Sequence, residues 1–448
     1  MVKLTGGEPV ILQTKLSEGY LIDPVELEKA LVANPRIKSL MLCNPSNPAG
    51  TVHSPAQLEN IAAVLRKPQF RHILVIADEI YEQLVYQDEG EAKREHQSFA
   101  TLPGMYERTL TVNGFSKSHA MPGLRIGYLA APKYFVQVCT KLQGQLTSCA
   151  NSVGQAAAVE AMRYEMECVS QNEERMTETL AIMDAKRKYI VKRLQAIPQL
   201  EFAYPTSAFY VFLDLASYFD GKQGVTADKS EVVKDADDYC EYLLRHYHVA
   251  LVPGSAFGVK NGLRISYACS METIEHALDG LEQSLGALTF TPVSGGAATS
   301  SVVAPASNGG AVVARAPFRE DAPLTEKYPQ NPLLGKIAAS KTVVVLGLAK
   351  QLEAEGKQVW SLCVGEPDFA PSERVLKAGM SAMEQGKVKY TDVKGTAELR
   401  TLIAQYLETC KGLKYDPLTE ILVSNGAKQT VYQALLINRF TAIIYNKV

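Results

Sequence analysis

Four polar residues follow three apolar, strand-like runs of this sequence, at the point where each run ends. Asn47 lies in the turn after SLMLC, and Asp78 comes directly after HILVIA. Ser116 and Lys117 follow TLTVNGF. Because ligands bind beyond the carboxyl ends of the strands in open α/β sheets, we expect these side chains to share one edge. Each alone has an ordinary explanation as a turn former, a helix cap or a solvated lysine, but their joint position favours a ligand site.

The side chains in this group suit a pyridine ring that carries an aldehyde and a phosphate. An amine such as that of Lys117 can form an imine with an aldehyde. A carboxylate such as Asp78 can keep a pyridine nitrogen protonated, which makes the ring withdraw electrons. A serine, an arginine and backbone N–H groups bind a phosphate dianion, and Ser116 and Arg125 provide the first two. The combination predicts pyridoxal 5′-phosphate as the cofactor.

A sheet is needed to bring these residues together, and the rest of the chain predicts one. Strand-like runs at 9–14, 39–45, 72–79 and 109–115 alternate with helical patterns at 23–33 and 55–67. The first of these helices is predicted to begin at Pro24, with Asp23 as its cap. Such alternation predicts an α/β fold, with a mainly parallel sheet covered by helices on both faces. The stretch after residue 150 predicts a smaller α+β domain, in which the carboxylates of VVKDADDYCEY form a solvated helix face.

The composition excludes several classes of partner. The chain has 448 residues, 21% of them charged, and a net charge of −2, which gives no electrostatic reason to expect nucleic acid or an anionic membrane. The eight cysteines form no CxxC pair and the seven histidines show no metal-like spacing, so no metal site is predicted. Scattered thiols suit a reducing compartment, and the N-terminus does not read as a signal peptide. These features are compatible with the cytoplasm; a plastid location is suggested only by the family resemblance described below and by the Ala- and Ser-rich stretch at 291–318.

Seven motifs together resemble one enzyme family. They are SNPAG (46–50), ADEIYE (77–82), NGFSKSHAMPGLRIGY (113–128), LVPGSAFG with LRISYA (251–268), VGEPDF (364–369), KYTDVKG (389–395) and SNGAKQ (424–429). This group of motifs resembles the fold-type I, pyridoxal 5′-phosphate-dependent aminotransferases. It is most similar to the aspartate/prephenate aminotransferases of bacteria and plastids. The resemblance covers nearly the whole chain.

The resemblance implies a role for each residue around the cofactor ring. Lys117 would hold the cofactor as an imine and then move the proton between the substrate α-carbon and the cofactor. Asp78 would pair with the pyridinium nitrogen. Tyr81 and Asn47 would donate hydrogen bonds to the phenolic oxygen and keep the pKa of the imine low.

The resemblance also implies a phosphate site that two subunits share. Ser116 and Arg125 would bind the phosphate together with the backbone of Gly426 and Ala427 at a helix N-terminus. Tyr390 would reach the phosphate of the neighbouring subunit, which implies a homodimer.

Substrate recognition follows from the same resemblance. Arg264 would bind the substrate α-carboxylate through two parallel hydrogen bonds, which lysine could not do equally well. Asn47 and the backbone of Gly365 would contact the same substrate. The implied reaction moves an amino group between aspartate or glutamate and a 2-oxo acid: oxaloacetate, 2-oxoglutarate or prephenate. Two alternatives stay open, namely another fold-type I enzyme and a rearranged remnant with impaired catalysis.

The order of the motifs departs from the family. VGEPDF and SNGAKQ precede SNPAG in the family but come last here, so the arrangement reads as a circular permutation. A second origin stays open, in which the C-terminal half of one copy is fused to the N-terminal half of the next, through a tandem duplication or a faulty gene model. The family also has a strand and a ring-stacking aromatic between SNGAKQ and the strand PVILQT. This segment has no full counterpart, and we expect TAIIYNK (441–447) to replace the strand in part. At two smaller departures, MPGLR stands for MTGWR, and PTSAFY has Ser207 in place of a glycine.

The motifs and the composition divide the chain into five segments. Residues 1–150 and 366–448 are expected to form the two parts of a large cofactor-binding domain. Residues 151–290 and 319–365 are expected to form the smaller domain. Residues 291–318 are rich in Ala, Ser, Gly and Val and contain no acidic residue, which is typical of a flexible linker or a presequence-like segment.

Overall fold

The computed structural model describes residues 1–293, 337, 340–437 and 442–447. The helices are α1 (Pro24–Ala33), α2 (Pro55–Arg66), α3 (Lys133–Leu146), α4 (Ser152–Ser170), α5 (Thr177–Gln195), α6 (Ala216–Phe219), α7 (Ala236–Tyr247), α8 (Met271–Gly286), α9 (Lys341–Ala354), α10 (Glu373–Glu384), α11 (Ala397–Lys411) and α12 (Ala427–Ile437). The strands are β1 (Glu8–Gln13), β2 (Ile37–Cys43), β3 (Leu74–Asp78), β4 (Thr109–Gly114), β5 (Gly127–Ala130), β6 (Glu201–Phe202), β7 (Tyr210–Asp214), β8 (Lys222–Thr226), β9 (Val232–Val233), β10 (Val249–Ala250), β11 (Val252–Pro253), β12 (Gly262–Ser266), β13 (Leu288–Pro292), β14 (Trp360–Ser361), β15 (Ile421–Ser424) and β16 (Ala442–Lys447). None of these helices combines the length and the apolar character that crossing a bilayer requires. From residue 294 on, the predicted linker lies outside the described residues.

The main sheet has the strand order β1-β16-β2-β3-β4-β5-β15. Neighbours run parallel from β1 to β4, and β5 is antiparallel to both β4 and β15. The predicted α/β fold with a mainly parallel sheet is therefore confirmed. Because β2, β3 and β4 are adjacent and parallel, their carboxyl ends meet at one edge of the sheet.

Helices cover both faces of this sheet because successive residues of a strand point to opposite sides. On β3, Val75 and Ala77 pack into one apolar cluster with α1 and α2. Ile76 packs into another cluster with α3 and α12. All three side chains are essentially inaccessible to solvent, and burying one aliphatic side chain of this size stabilises a fold by about 1.5–3 kcal/mol. The sheet edge that carries the polar residues is thus held from both sides.

The strand β16 bears on the family segment that the sequence lacks. It lies between β1 and β2 and is parallel to both, with Ala442 opposite Glu8 on one side and opposite Ile37 on the other. Ala442, Ile443 and Ile444 are buried. The expectation that TAIIYNK replaces a strand is confirmed, and the facing backbone groups of β1 and β2 are paired rather than left without partners.

A second, antiparallel sheet has the order β11-β12-β7-β6. In it, Arg264 of β12 lies opposite Phe212 of β7, and Ser266 lies opposite Tyr210. Helices α5, α7 and α8 share an apolar cluster with β7 and β12. A short parallel pair of β10 and β14 places Trp360 beside Val249. The segment after residue 356 therefore returns to the same part of the molecule as the strand that carries Arg264.

The solvated helix face predicted for VVKDADDYCEY is wrong in part. The side chain of Asp235 accepts hydrogen bonds from the backbone N–H groups of Asp237 and Asp238 and caps α7. Asp237 accepts a hydrogen bond from the Ser255 hydroxyl at 2.7 Å and forms an ion pair with Lys341. These carboxylates are half-buried because segments distant in sequence pack against them, which helical periodicity cannot reveal.

Candidate functional site

The polar residues after the three strands come together as the strand ends do. Asp78 is the last residue of β3 and lies opposite Cys43, the last residue of β2. On its other side Asp78 lies opposite Val112 of β4, and the chain leaves β4 towards Ser116 and Lys117. The sheet therefore delivers an amine and a carboxylate to one edge.

The amine of Lys117 lies in a poorly solvated position. It donates a hydrogen bond to the backbone carbonyl of Gly365, and it lies 5.7 Å from the centre of the Phe209 ring. Burial lowers its pKa to about 8, and the positive charge of Arg264 acts in the same direction. A substantial fraction of the amine is consequently neutral near physiological pH, as a nucleophile or base must be.

The carboxylate of Asp78 is half-buried at the same sheet edge as this amine. Burial raises its pKa to about 6, while the hydrogen bond from the backbone N–H of Ile80, at 3.4 Å, and the charge of Lys117 lower it. Cys43 and Tyr81 lie close enough for the Asp78 charge to raise their pKa values further. The carboxylate is thus ionised at neutral pH in an apolar place, where it attracts a positive charge.

A chain of hydrogen bonds leads from Arg264 to Tyr81. The Arg264 guanidinium donates to Asn47 Oδ1 at 3.0 Å and to the carbonyl of Cys363 at 2.6 Å. Asn47 Nδ2 in turn donates to the Tyr81 hydroxyl at 3.4 Å. Arg264 is 4% exposed, and its Nε has no hydrogen-bond partner among the described residues. A buried guanidinium with donor capacity left over is suited to bind a carboxylate in two places.

A cradle for an anion lies at the start of α12. Ala427 is the first residue of this helix, and Gly426 precedes it with φ 89°. A side chain on Gly426 would approach the Arg125 guanidinium to 2.5 Å, so only glycine leaves the room that Arg125 occupies. Ser116, at the end of β4, is buried. A helix N-terminus, an arginine and a serine together provide the donors that a phosphate group needs.

Glycine is also required where the substrate-binding segment passes the site. A side chain on Gly365 would overlap the Tyr210 hydroxyl. The backbone at this position can therefore approach the site closely, and its carbonyl receives the hydrogen bond from Lys117. The geometry around Gly365 agrees with the close backbone approach that the motif VGEPDF implies.

The sequence matches the family described as aminotransferase class I and II at residues 1–281 and 357–445, which together make up most of the chain. The chain belongs to the class I and II aminotransferases. Members of this family depend on pyridoxal 5′-phosphate. Family membership and the residue types therefore lead to the same cofactor.

Similar proteins have names that agree with this family. A bifunctional aspartate aminotransferase and glutamate/aspartate-prephenate aminotransferase of Petunia hybrida is 43% identical over 286 residues, 64% of this chain and 56% of that protein. An aspartate aminotransferase of Pinus pinaster is 41% identical over 285 residues, 64% of this chain and 54% of that protein. The crystal structure of an aspartate aminotransferase from Rhizobium meliloti is 34% identical, with a TM-score of 0.54, over 63% of this chain and 66% of that chain. The matches with the two plant proteins span little more than half of their length.

The residues of this aminotransferase fit pyridoxal 5′-phosphate. Lys117 provides a partly neutral amine, and Asp78 provides a half-buried negative charge for a ring nitrogen. Tyr81 and Asn47 provide hydrogen-bond donors beside them, and the cradle at the start of α12 suits the phosphate. The donors and charges of these residues therefore complement the aldehyde, the pyridinium nitrogen and the phosphate of the cofactor.

Two residues of the site were not singled out from the sequence. Tyr210 contacts Tyr81, Arg264 and Gly365, and Phe209 contacts Lys117. Both belong to PTSAFY (205–210). This segment resembles a family motif, but only its Ser207 is singled out from the sequence. Tyr390 differs from all of these residues because it is 87% exposed.

A second buried polar cluster lies directly behind Asp78. Among the described residues, Glu79, Glu82 and His96 bring potential metal-ligating atoms within 4.8 Å of one another. The ammonium group of Lys411 lies 3.1 Å from the Glu82 carboxylate. Lys411 thus supplies a positive charge to this cluster. The sequence-based expectation that the chain has no metal site stays a prediction.

Proposed function

We propose that this chain is an aminotransferase that moves an amino group between aspartate or glutamate and a 2-oxo acid, namely oxaloacetate, 2-oxoglutarate or prephenate. The observation that carries this proposal is the pair of Lys117 and Asp78, a half-buried amine with a lowered pKa whose charge interacts with that of a half-buried carboxylate. The names of the Petunia and Pinus relatives support the choice of substrates.

Lys117 is the residue that handles protons in this reaction. When bound, the cofactor supplies an electron sink, since its protonated pyridine ring withdraws the electron pair left at the substrate α-carbon. Lys117 Nζ would take the proton from that carbon and deliver it to the carbon of the cofactor's aldehyde group, on the other side of the shared nitrogen. Its lowered pKa makes the amine a base that is available at neutral pH. Asp78 holds the ring nitrogen protonated by its charge.

Other residues of the site orient the reactants. Tyr81 and Asn47 direct hydrogen-bond donors to the phenolic oxygen of the cofactor. Ser116, Arg125 and the N-terminus of α12 hold its phosphate, together with the backbone of Gly426 and Ala427. These contacts would hold the cofactor at the sheet edge that carries Asp78 and Lys117, and such positioning of the reactants favours proton transfer at a defined atom.

Arg264 recognises the substrate through its α-carboxylate. Its guanidinium is already oriented by Asn47 and by the carbonyl of Cys363, so little side-chain entropy is lost on binding. Because Gly365 has no side chain, its backbone and the Tyr210 hydroxyl can lie side by side next to the Arg264 guanidinium.

The decisive test is reconstitution with pyridoxal 5′-phosphate. The wild-type protein should become coloured and transfer the amino group of aspartate to 2-oxoglutarate. Lys117→Ala should lose the colour and at least about 10²–10⁴-fold of the rate, because the proton-transfer group is gone. Lys428→Ala is the matched control, since Lys428 is an exposed lysine in the first turn of α12. A folded wild-type protein that stays colourless would refute the proposal and point to the rearranged remnant.

We also propose a homodimer with shared sites. The proposal is supported by the exposure of Tyr390, at 87%, and of three apolar residues near it, Met380, Met383 and Val388, at 61% each. Such a patch is typical of an interface. Lys117→Ala and Tyr390→Ala subunits should regain activity when mixed, because one site of the mixed dimer then has both residues. A monomer by analytical ultracentrifugation would contradict this.

The permuted order and the location are proposed as well. A permutation is supported by the pairing of β15 and β16, from the end of the chain, with strands from its beginning. A transcript in which SNGAKQ precedes SNPAG would contradict it. A plastid location is supported by the plant relatives and by the Ala- and Ser-rich segment 291–318. Fractionation of organelles tests it, with recovery in the cytoplasm as the contrary result.

A further inference from the structure

One tyrosine of the second sheet reaches the centre of the site. Tyr210 begins β7, is 1% exposed and lies opposite Ser266 of β12, the strand that also carries Arg264. Its hydroxyl lies 2.9 Å from the Tyr81 hydroxyl. The Arg264 guanidinium lies over its ring, 4.6 Å from the centre. Tyr210 therefore contacts both a cofactor-binding residue and the substrate-binding residue of the proposed function.

The directions of the neighbouring hydrogen bonds follow from Arg264. A guanidinium can only donate, so the Asn47 atom that faces Arg264, at 3.0 Å, must be the amide oxygen. The amide nitrogen of Asn47 then faces Tyr81 and donates to its hydroxyl oxygen. Tyr81 thus accepts one hydrogen bond and has one proton of its own to place.

The remaining contact decides where that proton points. The hydroxyls of Tyr81 and Tyr210 are within hydrogen-bond distance, and either can be the donor. If Tyr81 donated to Tyr210, its proton would be unavailable to a ligand. If Tyr210 donates, the Tyr81 proton is free to point into the site.

We infer that Tyr210 is a positioning residue that donates its hydroxyl proton to Tyr81 and so directs the Tyr81 O–H towards the phenolic oxygen of the bound cofactor. This inference rests on the proposed function. Asn47 and Tyr210 then both donate to Tyr81, which makes Tyr81 a stronger donor, because hydrogen bonds in a chain polarise one another.

The position of Arg264 also favours this direction. The Arg264 guanidinium lies over the Tyr210 ring, 4.6 Å from its centre, and not over the ring of Tyr81 in the contacts of this site. Burial raises the pKa of Tyr210, and the charge of Arg264 opposes that rise. A nearby cation makes a phenol a better donor.

The test is the pH dependence of the visible absorbance of the protein loaded with pyridoxal 5′-phosphate. In Tyr210→Phe the phenolic oxygen loses part of its stabilisation and holds the shared proton more tightly. The pH midpoint of the absorbance change should therefore rise by about 0.5–1 unit, a three- to tenfold increase in proton affinity. Tyr239→Phe is the matched control, because Tyr239 is also buried but its hydroxyl is bonded to Ser284, at 2.6 Å. Its midpoint should equal that of the wild type.

A second variant separates the hydroxyl from the ring. Tyr210→Phe keeps the ring below Arg264, so KM for aspartate should change less than twofold. Tyr210→Leu removes the ring as well, and KM should rise about three- to thirtyfold through the lost cation–π contact. A raised KM in Tyr210→Phe together with an unchanged midpoint would overturn the inference.

A replacement that keeps the shape guards against misfolding. A fluorinated tyrosine at position 210 is a stronger donor and should move the midpoint downwards. If the wild type takes up the cofactor and is coloured, an unchanged midpoint in both the phenylalanine and the fluorotyrosine variants would overturn the inference. Failure of the wild type to take up the cofactor would instead refute the proposed function.

Discussion

Asp78 and Glu79 are adjacent carboxylates with different surroundings, since Asp78 is half-buried and Glu79 is buried. Burial raises the pKa of Asp78 to about 6 and that of Glu79 to about 8. Glu79 accepts hydrogen bonds from the Ser98 hydroxyl at 2.9 Å and from the backbone N–H of Phe99 at 3.0 Å. Asp78 accepts a long hydrogen bond from Ile80, at 3.4 Å, and faces the amine of Lys117.

The two carboxylates differ in their hydrogen-bond partners. Those of Glu79 indicate a structural role, and those of Asp78 agree with the ligand-binding role proposed for it. Glu79 belongs to a cluster in which Lys411 compensates Glu82 and Tyr406 donates to Glu82 at 2.9 Å. Protein groups thus compensate the two carboxylates, while neither ring nitrogen of His96 has a hydrogen-bond partner among the described residues. The Asp78 carboxylate has one long hydrogen bond, from Ile80, and interacts with the charge of Lys117, so it keeps acceptor capacity for the protonated ring nitrogen of the proposed cofactor. Burial alone, or a raised pKa alone, therefore does not identify a functional group; the source of its partners does.

The largest effect is expected when the structural cluster loses its cation. Lys411→Met leaves the Glu82 carboxylate buried without its counter-ion, which costs about 3–5 kcal/mol of the free energy of unfolding. Denaturant unfolding followed by circular dichroism measures it. Lys414→Met, at an 85% exposed lysine side chain, should change stability by less than about 1 kcal/mol.

A double variant checks the cause. Adding Glu82→Gln to Lys411→Met removes the uncompensated charge and should recover most of the lost stability. If the single Lys411 variant were as stable as the wild type, the cluster would not be the structural half of this comparison.

Substitution of Asp78, the last residue of β3, should lower the rate of amino-group transfer rather than the stability of the fold. Asp78→Asn removes the charge that a pyridinium nitrogen needs, and kcat should fall by about 10²–10³-fold, as for other preorganised electrostatic groups. Glu79→Gln makes the same chemical change one residue further on and should keep activity within about twofold. Equal losses in both variants would contradict the assignment.

The same Asp78 variant should stabilise the protein without cofactor. The folded pKa of Asp78 is raised above its usual value of 3.8, so the unfolded chain ionises first and stability is lost as pH rises towards about 6. Asparagine avoids this loss, and the variant should gain up to about 3 kcal/mol at pH 7, and less near pH 5. Thermal unfolding of the cofactor-free protein at the two pH values measures the difference.

Much of the fold was predictable because its determinants are local. Asp23 accepts a hydrogen bond from the backbone N–H of Val25 at 2.8 Å and caps α1, as the sequence predicts. The apolar runs that became β2, β3 and β4 placed Asn47 and Asp78 at one edge. The apolar run that became β16 was likewise assigned to the sheet. In each case, a few neighbouring residues carry the information.

The rest depends on contacts between distant segments. Glu82 and Lys411 meet although 328 positions separate them in the sequence, and nothing local to either residue marks the pair. Tyr210 reaches Tyr81 only because β7 and β3 belong to different sheets that meet at the site. The role proposed for Tyr390 would depend on a second subunit. The family resemblance predicts roles for Arg264 and Gly365 without any knowledge of these contacts. It predicts nothing about Tyr210 or about the cluster that contains Lys411.

The smallest effect sharpens the comparison at a single hydrogen bond. Ser98→Ala removes one donor of Glu79 and should cost about 1 kcal/mol near pH 6, where Glu79 holds its proton. Above pH 8 the carboxylate is ionised, since its pKa is raised to about 8, and a hydrogen bond to a charged group is about twice as strong. The loss should therefore grow to about 2 kcal/mol near pH 9, while kcat stays within twofold of the wild type because Ser98 does not touch the site. A cost that does not depend on pH would mean that Glu79 keeps its proton throughout, and a fall in kcat would mean that the two carboxylates are not separate after all.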